Sequence, residues 1–97
     1  MKREAVMRIL RGHQGELRRL GVASLYLFGS TARDEAQAAS DVDLYFDYDH
    51  PKFSLIELAD LQRRLTELLG APTDVMSRGS LHPRLRPAIE QSAVQVF

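Results

Sequence analysis

The chain has 97 residues, of which 44% are hydrophobic and 27% are charged, a balance that is ordinary for a globular domain. Its 13 Lys and Arg residues balance its 13 Asp and Glu residues, so its charge argues against a protein built mainly to hold a nucleic-acid duplex. The lack of cysteine excludes disulfides and thiolate zinc sites. No apolar run has the length of a membrane span, and residues 1–5 do not resemble a secretory signal. We therefore expect a single cytoplasmic domain over residues 1–97.

The first third of the chain predicts helix followed by strand. Residues 3–20 carry apolar side chains at near-helical spacing, but Gly12 and Gly15 interrupt them, which indicates two helical pieces or one weakened helix. Gly21 is a typical helix stop. Residues 22–28 form a short apolar run between glycines, which predicts a strand.

The next segment predicts a short helix and a second strand. Residues 30–38 should be helical, with Ser30 as the N-cap. Residues 42–47 alternate between apolar and polar side chains, as a half-buried strand does. This alternation places Asp43, Tyr45 and Asp47 on one face and Val42, Leu44 and Phe46 on the other.

The last part of the chain predicts helix, strand, helix and edge strand. Residues 53–69 form the clearest helix, which Gly70 ends, and 73–77 suit a short strand. Residues 81–91 are expected to be helical and 94–97 to form an edge strand. One side of the clearest helix carries Leu55, Leu58, Leu61, Leu65, Leu68 and Leu69. The order predicts an α/β fold with a short mixed β-sheet and helices mainly on one face.

A Gly-Ser pair lies where the first predicted strand meets the short helix. Gly29 would let a ligand approach the backbone closely, and Ser30 offers a hydroxyl. The start of a helix attracts anions, so this turn is a candidate triphosphate cradle. Arg33, one turn later, can complement phosphate charge or form a surface ion pair with a neighbour.

Three aspartates are candidate metal ligands. Asp41 and Asp43 are two residues apart and should point the same way from the second strand. Asp74 lies at the start of the third strand and joins them if that strand pairs beside the second. Mg²⁺ prefers carboxylate and phosphate oxygens, and two such ions can clamp both oxygens of a phosphoryl displacement.

These motifs resemble the DNA polymerase β-like nucleotidyltransferase superfamily, in which Gly-Ser precedes a short helix, an Asp-x-Asp strand and a later acid. Ten residues lie between Ser30 and Asp41, as in its small members. The whole chain, 1–97, looks like one of the minimal nucleotidyltransferases that are encoded beside HEPN-domain proteins. The matching segments are 17–22, 27–33, 40–44, 68–70 and 74–75.

The resemblance implies a role for each matching residue. Gly29 and Ser30 would hold the β and γ phosphates of a nucleoside triphosphate. Asp41 and Asp43 would bind two Mg²⁺ ions. Asp74 would bind the ion nearer the nucleophile and help deprotonate the attacking hydroxyl.

The family also implies a reaction. Antitoxin-type members adenylylate a tyrosine of a HEPN ribonuclease partner, which implies ATP as the donor substrate. Arg33 matches a common arginine of the group and is a further candidate for nucleotide binding. Asp34 departs from the pattern, because glycine is frequent there, and an acid near the start of the short helix could weaken phosphate binding.

Two other functions remain open. The domain could neutralise a partner by binding it, with weak or vestigial catalysis. It could also modify a small molecule such as an aminoglycoside, although a chain of this size lacks an acceptor-binding domain. Because the chain is short, either a partner protein supplies the acceptor or a second copy of the chain builds the missing wall of the site. An exposed apolar patch would mark that interface.

Overall fold

A computed structural model describes residues 1–35, 41–49, 51 and 53–97. The helices are α1 (Arg3–Gly12), α2 (Gln14–Arg19), α3 (Gly29–Ala32), α4 (Leu55–Leu69) and α5 (Arg86–Ser92). The strands are β1 (Val22–Phe28), β2 (Val42–Tyr48), β3 (Thr73–Ser77) and β4 (Val94–Gln95), and a 3₁₀ turn spans Arg78–Ser80.

The four strands form one mixed sheet in the order β3-β2-β1-β4. Strand β1 pairs antiparallel with β2 and with β4. Strand β3 runs parallel to β2, so the strand pairing on which the choice of Asp74 depended is present. The predicted mixed sheet and the edge position of the last strand are confirmed as well.

One hydrophobic core joins α1, α2 and α4 to a single face of the sheet. Alternate residues of β1, β2 and β3 point into it, as the period of a strand requires. Its fully buried members include Val6, Leu10, Leu17, Leu25, Leu27, Val42, Leu44, Phe46, Leu61 and Leu65. Within the described ranges, no helix is long and apolar enough to cross a membrane.

Helix α4 begins and ends with strong capping signals. The Ser54 side chain accepts a hydrogen bond from the Ile56 amide, and Glu57 completes a capping box with Ser54. Gly70 ends the helix in the left-handed region, with φ of 62°. Of the leucine stripe, Leu61, Leu65 and Leu69 are buried, whereas Leu55 is 82% exposed.

Three predicted helices are shorter in the structure, and α4 differs only at its start, which is Leu55 instead of residue 53. Helix α3 begins at Gly29 and ends at Ala32, so Ser30 lies within its first turn and is not the N-cap. Residues 36–38 of that prediction lie outside the described residues. Helix α5 begins only at Arg86, because a separate turn precedes it and Pro87 fits best in a first helical turn.

Candidate active site

The sheet brings two of the predicted acids together. Asp43 of β2 is the register partner of Asp74 of β3, so the two residues are neighbours on adjacent parallel strands. Asp41 immediately precedes β2. On its other side, Asp43 pairs with Phe28, the last residue of β1. The Gly29–Ser30 turn therefore begins next to the acids.

Gly29 and Asp43 are in close contact. Gly29 has φ of 75°, a left-handed conformation that other residues adopt only with strain. A Cβ atom at this position would lie 2.5 Å from Asp43 Oδ2 and 3.3 Å from its Cγ. Both the backbone conformation and the packing therefore require glycine, and the turn lies directly against the carboxylate.

The acids share an unfavourable electrostatic environment. Burial raises the pKa of the Asp43 carboxyl, and the charges of Asp74 and Asp41 raise it further. Like charges this close disfavour full ionisation, and a hard cation would relieve the repulsion. Across the parts of the chain that the structure describes, no three His, Cys, Asp or Glu side chains are arranged as a ready-made metal cluster. The donor set thus fits Mg²⁺ chemically, but the side chains would have to converge on the ion.

Arg33 and Asp34 lie at the end of α3. Arg33 is exposed, and its Nε is 3.1 Å from Glu35 Oε2, which is the surface ion pair with a neighbour that its position allowed. Asp34 has φ of 59°, which explains structurally why glycine suits this position. It follows the end of the helix, so the expectation that its charge lies near the helix start is wrong. Its Oδ1 instead accepts a 3.3 Å hydrogen bond from the Arg3 amide.

An arginine to which the sequence analysis assigned no role, Arg78, contacts the face of β2 that carries Asp43 and Asp47. The Arg78 guanidinium donates from Nε and Nη2 to both carboxylate oxygens of Asp47, at 2.8 and 2.9 Å, and Nη1 pairs with Glu90. It also lies over the rings of Tyr26 and Tyr45, which stack with centroids 4.7 Å apart. Arg78 is 31 residues from Asp47 in the sequence, so no local motif indicates that the two side chains bind each other.

A second surface lies at the far end of β2 from Asp41 and Asp43. The Tyr48 ring stacks on Phe53 with centroids 4.8 Å apart, beside a cavity of about 280 Å³ that Phe46, Phe53 and Leu55 help to line. Leu55 is 82% exposed and Ile56 is 74% exposed. We call Tyr48, Phe53, Leu55 and Ile56 the apolar patch. An exposed apolar patch is the surface that the sequence analysis expected at an interface with a partner or a second copy.

The sheet places Gly29 against Asp43 and Asp43 beside Asp74, and comparison with known proteins establishes the family. The nucleotidyltransferase domain family matches residues 10–96, and the chain belongs to it. A protein adenylyltransferase of Thermococcus cleftensis, MntA, is 35% identical over 94 residues, covering 96% of this chain and 94% of that protein. A relative from Methanocaldococcus jannaschii, whose name also designates a protein adenylyltransferase, is 36% identical over 93 residues and 94% of both chains.

Solved structures agree with this family. A structure described as a minimal nucleotidyltransferase superposes with a TM-score of 0.84 at 32% identity, covering 97% of this chain and 95% of that one. A toxin-antitoxin complex crystallised with AMP-PNP superposes with a TM-score of 0.72 at 18% identity, covering all of this chain and 73% of that one, which shows a shared fold. The resemblance to minimal nucleotidyltransferases is confirmed, and the chain is a nucleotidyltransferase.

Proposed function

We propose that this enzyme transfers AMP from ATP to a tyrosine hydroxyl of a HEPN-type partner toxin and thereby acts as an antitoxin. The observation that carries the proposal is the position of Asp43, which lies beside Asp74 on one side and against Gly29 on the other. The designation of its relatives as protein adenylyltransferases supports a protein acceptor. The toxin-antitoxin complex with AMP-PNP, which has the same fold, supports a nucleotide donor and a toxin partner.

Each candidate site residue has a proposed role in binding the nucleotide or the metal ions. Gly29 and Ser30, at the start of α3, receive the β and γ phosphates, because backbone N–H groups at a helix start attract anions. Asp41, Asp43 and Asp74 would hold two Mg²⁺ ions, which would supply charge neutralisation on the triphosphate. Arg33 can reach phosphate only by leaving Glu35, which costs little because that pair is exposed.

The proposed transfer forms one bond and breaks one bond. The tyrosine oxygen of the partner bonds to the α-phosphorus of ATP, the bond from that phosphorus to the bridging oxygen breaks, and pyrophosphate leaves. Asp74 accepts the hydroxyl proton, because it lies beside Asp43 and is itself exposed toward an acceptor. The Asp74 side chain is exposed, so a hydroxyl of a partner protein can approach it.

The test is transfer of label from α-labelled ATP to proteins captured from the native cell. Asp41→Asn, Asp43→Asn and Asp74→Asn should each abolish labelling while the fold is retained, because each removes a charge from the acid group. Asp49→Asn is the matched control, since Asp49 is exposed just beyond the opposite end of β2. Full labelling by both Asp41→Asn and Asp43→Asn would contradict the metal-dependent mechanism.

The apolar patch favours one alternative, in which the domain neutralises its partner by binding alone. Exposed Leu55 and Ile56 provide the type of surface that protein partners cover. Neutralisation by Asp43→Asn at the wild-type level would support this alternative. Loss of neutralisation by Asp43→Asn, together with retained partner capture, would support catalysis.

A further inference from the structure

The edge strand β3 is held on its outer side by a side chain. Among the described residues, strand β3 pairs with β2 on one side only, and the outer edge of such a strand presents unpaired N–H and C=O groups. Gln62 of α4 reaches this edge. Its Oε1 accepts a 3.1 Å hydrogen bond from the Val75 amide, and its Nε2 donates to the Thr73 carbonyl. The two backbone groups that Gln62 binds flank Asp74.

The amide of Gln62 can make both bonds in one orientation only. Its oxygen must face the Val75 N–H and its nitrogen must face the Thr73 C=O. Thr66, one turn later in α4, accepts a 3.3 Å hydrogen bond from the same Nε2 and donates to the Gln62 carbonyl at 2.9 Å. The glutamine is partly buried, so water competes less for these bonds than at an open surface.

We propose that Gln62 is a positioning residue that keeps Asp74 in register beside Asp43. This inference rests on the proposed function, because Asp74 matters to metal binding only if the acid group holds Mg²⁺. The Asp74 carboxylate repels that of Asp43 on the neighbouring strand, and within the described residues no further strand pairs with the outer edge of β3 to resist that repulsion. Gln62 supplies the missing partner from α4, which is anchored in the core through Leu61 and Leu65.

Amide hydrogen exchange tests the link directly, without nucleotide or metal. Gln62→Met keeps the approximate size of the side chain but loses both bonds, so the Val75 amide should exchange about fivefold faster, as expected for one lost hydrogen bond. Gln62→Glu keeps an oxygen that accepts from Val75 but loses the donor to Thr73, so protection at Val75 should stay close to the wild-type level. Gln91→Met, on the exposed side of α5, is the matched control and should leave exchange of the Val75 amide unchanged.

Calorimetric titration of Mg²⁺ into the protein with AMP-PNP tests the consequence for the site. Gln62→Met should weaken Mg²⁺ binding about tenfold, the lower end of what residues behind metal ligands contribute. In turnover, the Mg²⁺ concentration needed for half-maximal rate should rise while the KM for ATP at saturating Mg²⁺ stays near the wild-type value. A purely structural role for Gln62 would lower the melting temperature without changing the Mg²⁺ requirement.

The outcomes separate the two proposals. Unchanged exchange at Val75 in Gln62→Met, or unchanged Mg²⁺ affinity with faster exchange, would overturn the positioning role. Absence of Mg²⁺ and AMP-PNP binding by the wild-type protein would contradict the proposed function instead, and the exchange result would still decide whether Gln62 holds β3. If Gln62→Met does not fold, Gln62→Ala provides the same comparison, because it also loses both bonds and the Val75 amide should again exchange about fivefold faster.

Discussion

Replacement of Gly29 by alanine should damage the site and the fold by separable amounts. The new Cβ would lie 2.5 Å from Asp43 Oδ2, whereas non-bonded heavy atoms prefer separations of about 3.5 Å or more. The Asp43 carboxylate must therefore move by about 1 Å. The φ of 75° also imposes a backbone penalty on alanine of roughly 1–2 kcal/mol.

Gly70 offers a matched control for the backbone penalty. It has φ of 62°, but no atom outside its chain neighbours and helix backbone lies within 4 Å of where its Cβ would be. Gly70→Ala should thus lose about the same free energy of unfolding as the backbone part of Gly29→Ala. For a domain of this size, each 1 kcal/mol lowers the melting temperature by roughly 4–8 °C.

The two variants are to be compared by thermal unfolding and by AMP transfer. Both should melt several degrees below the wild-type protein. Transfer by Gly29→Ala should fall about 100-fold, because a displacement of about 1 Å at a reacting centre has an effect of that size. Gly70→Ala should transfer AMP at the wild-type rate. Wild-type transfer by Gly29→Ala, or an equal loss in both variants, would refute the role assigned to the Gly29–Asp43 contact.

Three further predictions concern stability. Burial and neighbouring carboxylates raise the pKa of Asp43, so its ionisation lowers the stability of the fold as the pH rises through that pKa. In EDTA, Asp43→Asn should therefore have a higher melting temperature than the wild-type protein near pH 7. This difference should disappear below the ordinary pKa of 3.8. An equal melting-temperature difference at both pH values would contradict this. Arg78→Lys removes the two-bond contact with Asp47 and should cost roughly 1 kcal/mol in chemical denaturation, allowing for solvent screening; no change would show that the contact is energetically neutral. Ser54→Ala removes the capping box of α4 and should lower the free energy of unfolding by about 1 kcal/mol, with AMP transfer unchanged. Reduced transfer under conditions in which the variant is fully folded would contradict a purely local role for Ser54.

The sequence predicted the elements that depend on local pattern. Period-two alternation located β2 and placed Asp43 on the face opposite Leu44, and Gly70 marked the end of α4. The choice of Asp74 as the third acid depended on the third strand pairing with the second, and the parallel register of Asp43 and Asp74 shows this pairing. The assignment of Gly29, Ser30, Arg33 and the three aspartates as site residues remains a prediction.

Long-range contacts could not be read from the sequence. Gln62 binds Val75 across 13 residues and Arg78 binds Asp47 across 31, and neither side chain belongs to a local motif. The sequence marked Gly29 as a place where a ligand could approach, but only the sheet register shows that Asp43 already lies against it. The start of α3 was misplaced because a cap depends on backbone geometry, and Ser30 has a residue type that suits either position.

The most direct test of catalysis at the acid site is mass spectrometry of partner proteins captured from cells that express wild-type or Asp43→Asn protein. We predict that a tyrosine of the partner gains one AMP in the wild-type sample and remains unmodified with Asp43→Asn. An unmodified partner in both samples, with toxicity neutralised equally by both proteins, would contradict AMP transfer and favour neutralisation by binding.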